Sequence, residues 1–170
     1  MIKVETYKID RWKEKETGLL LAENEDCILV KHIPVDYVVD GYKVYFKKHI
    51  ISRECLKKEE KVELVLSLKK VKTTKPKEFK FGKPLELLKW VEKKYGLFEF
   101  QDESETELFY GTINSVSKNS LVINMIKSDG TIEYNYDYEF NLRKIRSITF
   151  LTDYFDSIRL LMEHEKRKKE

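Results

Sequence analysis

The sequence predicts a mainly β protein with short helices, laid out as two tandem five-stranded barrels joined by helical connections. Three observations carry this expectation. The chain repeats its own pattern at an offset of 93 residues. The dipeptide Asp-Gly opens a Tyr/Val/Phe-rich run twice, at Asp40-Gly41 and at Asp129-Gly130. The strongest helix start and stop signals fall between the two copies rather than within them.

The offset aligns about 33 residues without a gap, from Val4 to Asp36, which is the length of a structural unit rather than of a motif. Val4–Ile9 falls on Leu97–Asp102, Gly18 on Gly111, Cys27–Val30 on Ser120–Ile123 and Ile33 on Ile126. Two small length changes then bring Asp40-Gly41 onto Asp129-Gly130, and Lys48-His49-Ile50-Ile51-Ser52 onto Arg143-Lys144-Ile145-Arg146-Ser147.

Within the second copy, Leu97–Asp102 alternates and the polar stretch Asp102–Glu107 interrupts it. Phe109–Val116 then resumes, Ser117–Ser120 is a tight connection, and Leu121–Ile126 follows. Ser128-Asp129-Gly130 is a hairpin turn, since Asp-Gly supplies positive φ at little cost. Ile132–Tyr138 and Ile145–Phe150 complete five strands, short enough to curl into an SH3-like barrel that removes its own open edges.

Pro84 at a first turn, apolar residues at Leu87, Leu88, Val91 and Tyr95, and Gly96 at the end define a helix. Tyr154–Glu165, with Phe155, Ile158, Leu161 and Met162 on one face, is a second. Glu59–Lys70 places Val62, Val65 and Leu66 on one face but also alternates at Val62, Leu64, Leu66 and Leu68, so helix and strand both stand, and its position in the repeat favours helix. The expected organisation is a first barrel at 1–56, a helix and basic linker at 57–83, a helix with the second barrel at 84–152, and a C-terminal helix at 153–170. Lys72–Gly82 is the best linker stretch.

Net charge is only +3, from 33 basic and 30 acidic residues, so a broad phosphate-binding face is not written into the composition. The basic excess is local: residues 57–83 hold ten Lys against four Glu. Two cysteines, Cys27 and Cys55, form neither a disulfide framework nor a zinc pattern. No signal-peptide core and no membrane-length apolar run is present, so the expected location is cytoplasmic, with no membrane partner. A glycine-rich phosphate loop, a His-x-x-x-His pair and a Cys-x-x-Cys pair are all missing, and His32, His49 and His164 are far apart in sequence. The reading is therefore non-enzymatic, with no catalytic residue, metal or cofactor assigned.

The order helix, strand, Gly111-Thr112-Ile113-Asn114-Ser115-Val116, Asn119, Leu121, and finally Ile145-Arg146-Ser147-Ile148 resembles the layout of the Sm/LSm family over roughly 65 residues of the second copy. The resemblance implies a strongly bent five-stranded barrel, with RNA contacts in the loops after strands two and four. The nucleotide-contacting pattern itself departs from the family, with Ser117 and Asn119 in place of its Asp and Asn, and Arg146-Ser147 in place of Arg-Gly. Binding residues expected from the resemblance and the local charge are Lys47, Lys48, Arg143, Lys144 and Arg146. Tyr134, Tyr136 and Tyr138, at every second place of one run, are either core or a stacking ladder for bases or a peptide. A protein-interaction module of adaptor or inhibitor type is the leading expectation, with a protein partner or self-association through barrel edges; an RNA-binding Sm-like protein is the alternative.

Overall fold

The computed structural model describes residues 1–170. Its eleven strands form one antiparallel sheet, with three helices packed on it, so the protein is mainly β. The first copy supplies β1 (Val4–Ile9), β2 (Glu16–Glu23), β3 (Cys27–Ile33), β4 (Tyr42–Phe46) and β5 (Ile50–Glu54), then α1 (Lys57–Leu68). After α2 (Pro84–Tyr95), the second copy supplies β6 (Phe98–Gln101), β7 (Phe109–Ser117), β8 (Ser120–Ile126), β9 (Ile132–Glu133), β10 (Phe140–Asn141), β11 (Ser147–Phe150) and α3 (Asp153–Lys168). The strands run β10-β8-β7-β6-β11-β4-β3-β2-β1-β5, with β9 also paired to β8. With β10 as the counterpart of β4, each copy has the same internal order: fourth, third, second, first, fifth.

The repeat holds at the level of individual residue pairs. Glu5 faces Gly18 between β1 and β2, and Phe98 faces Gly111 between β6 and β7, each residue displaced by the 93-residue offset. The register shift between Leu20 and Ala22 on β2 recurs between Ile113 and Ser115 on β7. Thr6 faces Glu54 in one copy and Glu99 faces Thr149 in the other. A bulge adds twist and bend to its strand, so its recurrence gives both copies the same curvature. Before the last strand of each copy lies a 3-10 turn, Lys47–His49 and Leu142–Lys144.

Two separately closed barrels do not form. The sheet is open, and the two copies join through β4 and β11, with Ser147 facing Tyr45, Ile148 facing Val44, Thr149 facing Lys43 and Phe150 facing Tyr42. The physical reason is that the free side of β4 is occupied by the fifth strand of the other copy, so it cannot turn back to close on β5. The expected strand Ile132–Tyr138 also ends early, at Glu133. Asn135 takes a left-handed φ of 49°, which breaks the alternation that would have held a tyrosine ladder.

Both Asp-Gly turns keep the positive φ their sequence demands, 70° at Gly41 and 84° at Gly130. They differ in form: Gly130 N–H donates to the Lys127 carbonyl in a tight turn, whereas Asp40-Gly41 closes a longer connection that starts after Ile33. Helix α2 behaves as its signals require, with Pro84 in its first turn, Gly96 left-handed at its end, and Leu87, Leu88 and Val91 buried. The ambiguous 59–70 stretch is helical. Glu59 accepts the Leu56 N–H at 2.9 Å to cap α1, and Val62 and Leu66 pack on Val4, Leu19 and Ile33. Helix α3 is capped by Thr152, whose hydroxyl accepts the Phe155 N–H at 3.0 Å, and buries Phe155, Ile158 and Met162.

The largest core cluster crosses the join. Cys27, Leu29, Val44 and Phe46 of the first copy pack with Leu88, Phe98, Phe100, Ile148 and Phe150 of the second. The stretch Lys72–Gly82 is not a slack linker, because Phe79 and Phe81 are partly buried against this core. Phe79 meets Trp90 edge to face at 5.5 Å.

Candidate binding surfaces

Where β11 and β4 meet, the charged side chain of Lys43 is drawn inside. It is 4% exposed; its Nζ donates to Glu16 Oε2 at 2.8 Å and to Gln101 Oε1 at 2.9 Å, and lies 5.3 Å from the Trp12 ring. Tyr45 adds its hydroxyl to the same Glu16 oxygen at 2.9 Å. Burial alone would raise the Glu16 carboxyl, but Lys43 and His32 hold it below the usual carboxylate range. Glu99, two residues from Gln101 on β6, has the opposite fate: burial raises it, against the hydrogen bond from Tyr110. At this point of the join one buried cation, Lys43, is shared between Glu16 of the first copy and Gln101 of the second.

The equivalent loops of the two copies meet on one side of the sheet. The β2–β3 loop Asn24–Asp26, the turn at Lys47-Lys48, their counterparts Lys118-Asn119 and Leu142-Arg143, and the start of α2 surround a cleft of about 890 Å³. Hydrogen bonds fix its walls. His49 Nε2 donates to the Arg143 carbonyl at 3.0 Å, Lys47 N–H to the Asp26 carbonyl at 2.8 Å, and Leu142 N–H to the Asn119 carbonyl at 2.7 Å. Five cations line it, Lys47, Lys48, Lys83, Lys118 and Arg143, against Glu25, Asp26 and Glu86. Glu86 already accepts the Lys83 N–H as a helix cap at 2.8 Å. Lys47 is paired with Glu23 at 2.6 Å, and the bonds from Arg53 and Lys47 hold Glu23 at about 2.

The residues expected to bind divide among three places. Lys47, Lys48 and Arg143 line the cleft. Lys144 lies outside it, paired with Glu103 at 3.0 Å, and Arg146 is buried with its guanidinium on Asp10 at 3.2 Å. Arg146 is inside because β11 is a central strand flanked by β6 and β4, not an edge. Tyr134 and Tyr138 are exposed near β10, while Tyr136 is half-buried and stacked on Phe140 at 6.4 Å. Lys83 and Lys118 are the cleft cations that sequence reasoning did not single out, and Asn119, noted there as a departure from the nucleotide-contacting pattern, also lines the cleft. The repeat contains the signal for Lys118, since Lys118-Asn119 is the counterpart of Glu25-Asp26 in the β2–β3 loop.

A second cleft of about 440 Å³ lies between α1 and the Pro34–Tyr37 segment, with His32 at its base. His32 Nδ1 is buried without a hydrogen-bond partner, 3.8 Å from Glu16 Oε2. Burial, then Lys43, brings this imidazole down to about 4. The unfolded chain therefore binds a proton, below about pH 6.5, that the fold refuses, so this contribution makes stability rise with pH between about 4 and about 6.5. Moving from about pH 7 to about pH 5 is expected to cost about 2 kcal/mol through this group. Urea midpoints for the protein and for His32→Gln test it: the variant should lose most of that slope, and an unchanged slope would refute the assignment.

No cluster of three or more His, Cys, Asp or Glu side chains capable of holding a metal ion is present, and no helix is long and apolar enough to cross a membrane. Comparison of the chain with family models, with curated proteins and with solved structures finds no match.

Proposed function

We propose that the chain is a non-enzymatic binding protein, a protein-interaction module of adaptor or inhibitor type whose two halves are Sm-like units. The observation that carries this reading is the pair of open sheet edges. β5 and β10 each have a strand on one side only, although their counterparts β11 and β4 are paired on both. An open edge presents a row of unpaired backbone N–H and C=O groups, which is a template for a strand from a partner. Nothing blunts the β5 edge with proline, and Ile51 on it is 63% exposed.

RNA binding is the second reading, favoured by the convergence of Lys48, Lys83, Lys118 and Arg143 on one cleft built from equivalent loops. Heparin chromatography and calorimetric titration with single-stranded RNA separate the two. The interaction reading predicts weak retention and no heat. Tight retention that falls steeply with salt, and is weakened by Lys48→Ala with Arg143→Ala, would replace it with the RNA reading.

A further inference from the structure

We infer that the cleft of about 440 Å³ between α1 and Pro34–Tyr37 is a binding site for a small organic monoanion, a carboxylate on an apolar or aromatic body, held open in the first copy and filled by side chains in the second. The site shares no lining residue with the loop cleft and takes none from β5 or β10, so it is independent of the interaction reading.

The repeat supplies a control within the same chain. Thr17 lines the cleft from β2, and Tyr110 on β7 is its counterpart: Thr6 faces Thr17 in one copy as Glu99 faces Tyr110 in the other. Lys58 lines the cleft from α1. It is the second residue of its helix as Tyr154 is of α3, and the buried Val62 and Leu66 match Ile158 and Met162 at the same spacing. In the second copy the rings of Tyr110 and Tyr154 meet at 5.5 Å and take up the space. The floor changes with them, since His32 stands where the second copy has Met125. The outer wall differs as well. The turn after β8 lies so close to α3 that a Cβ on Gly130 would come within 2.6 Å of the Leu161 Cβ. The connection after β3 is instead tied to the far end of α1, where Lys69 Nζ donates to the Tyr37 carbonyl at 3.3 Å, and it leaves the cleft open beside Lys58, Lys61 and Val62.

The lining sorts into groups that are engaged and groups that are free. Glu16 is occupied by Lys43 and Tyr45, Glu59 by the Thr6 hydroxyl at 2.7 Å and the Leu56 N–H, and Lys15 by Glu54 at 2.6 Å. Lys58 and Lys61, three residues apart on one face of α1, are exposed and take part in no ion pair. Like charges at that spacing repel, and an anionic head between them relieves the repulsion. Asp36 is also exposed at the rim, and the lining as a whole sets three acids against three lysines, so a single negative charge is favoured over a polyanion. Pro34, Val35, Tyr37 and Val62 supply the apolar wall, on which Val35 and Tyr37 are open to be covered. His32 titrates at about 4 and is neutral at pH 7, so the positive charge stays at the mouth and orients the ligand, carboxylate outward and apolar body inward. The volume suits a free small molecule.

Phenylacetate is the probe, with acetate as the head alone and benzyl alcohol as the body alone. In amide-shift titrations of the isotope-labelled protein, phenylacetate should move Thr17, His32, Tyr37 and Val62 together and saturably, with a dissociation constant of about 1 mM, and leave Tyr110 and Tyr154 unmoved. Acetate and benzyl alcohol should each bind about tenfold more weakly. Lys58→Ala with Lys61→Ala, both at exposed positions, should weaken phenylacetate about tenfold and leave benzyl alcohol unchanged. Thr17→Tyr with Lys58→Tyr, which copies the ring pair of the second copy into the first, should abolish binding. Its amide spectrum shows whether the fold is kept, and the alanine pair carries the test if it is not. No saturable shift at the cleft, equal shifts at Tyr110 and Tyr154, or phenylacetate binding that the alanine pair leaves intact would overturn the inference. The interaction reading stands or falls separately, on the heparin and RNA measurements.

Discussion

Lys43→Met is expected to destabilise the protein by about 2–4 kcal/mol, because it leaves the Glu16 carboxylate, whose side chain is only 21% exposed, without its cation. The loss should be read as a lowered urea midpoint at neutral pH. The sign follows from the direction of the shift: Glu16 titrates below its unfolded value, so the pair contributes above about pH 4.3 and its contribution disappears as pH falls through the folded value. Glu16→Gln combined with Lys43→Met removes both charges and should recover most of the loss, since paired burial is close to neutral against apolar or uncharged replacements. A single-variant cost below about 1 kcal/mol, the range of a solvent-exposed pair, would mean that the side chain is not enclosed at the join.

Phe150→Ala is expected to cost about 3–5 kcal/mol, the usual range for a fully buried phenylalanine. Phe150 is the last residue of β11, and its ring meets elements from both copies. It stacks on Tyr42 of β4 at 5.5 Å, stacks on Tyr95 at 5.8 Å, and receives the edge of Trp90 at 5.5 Å. Removing it empties the point where the sheet join and α2 come together, so unfolding should remain one transition with a lower midpoint. If instead only residues 84–170 melt early and the first copy keeps its own transition, the two halves are not one cooperative unit.

Much of the architecture was legible because local chemistry and the repeat agree. The 93-residue offset, read from Gly18 over Gly111 and Cys27 over Ser120, reproduces the strand pairs and the bulges. Pro84 and Gly96 bracket α2 because both residues fix φ where a helix starts or stops. The β4–β11 join was not legible, since no local signal in Tyr42–Tyr45 names Ser147–Phe150 as its partner, and barrel closure supplied a different one. The run Ile132–Tyr138 has strand propensity but no neighbour on its outer side, and tertiary context decided against it.

The site was legible in part for the same reason. Lys48 and Arg143 were found because they sit in equivalent turns, and equivalent turns meet in the cleft. Arg146 looks like its neighbours Arg143 and Lys144 in sequence but leads directly into the central strand β11, with its backbone already bonded to Phe46 and Gln101, and an arginine there is buried only with a partner, here Asp10. Phe79 and Phe81 lie in a stretch dominated by lysine, threonine and proline, whose composition hides two core anchors.

The join between the copies is tested most directly by cross-strand backbone NOEs in the isotope-labelled full-length protein. Contacts linking Tyr45 with Ser147, Val44 with Ile148 and Lys43 with Thr149 are expected, with slow amide exchange along β4 on both of its sides. NOEs from β4 to β5 in place of β11, or rapid exchange along one side of β4, would contradict a single continuous sheet and restore two separately closed barrels.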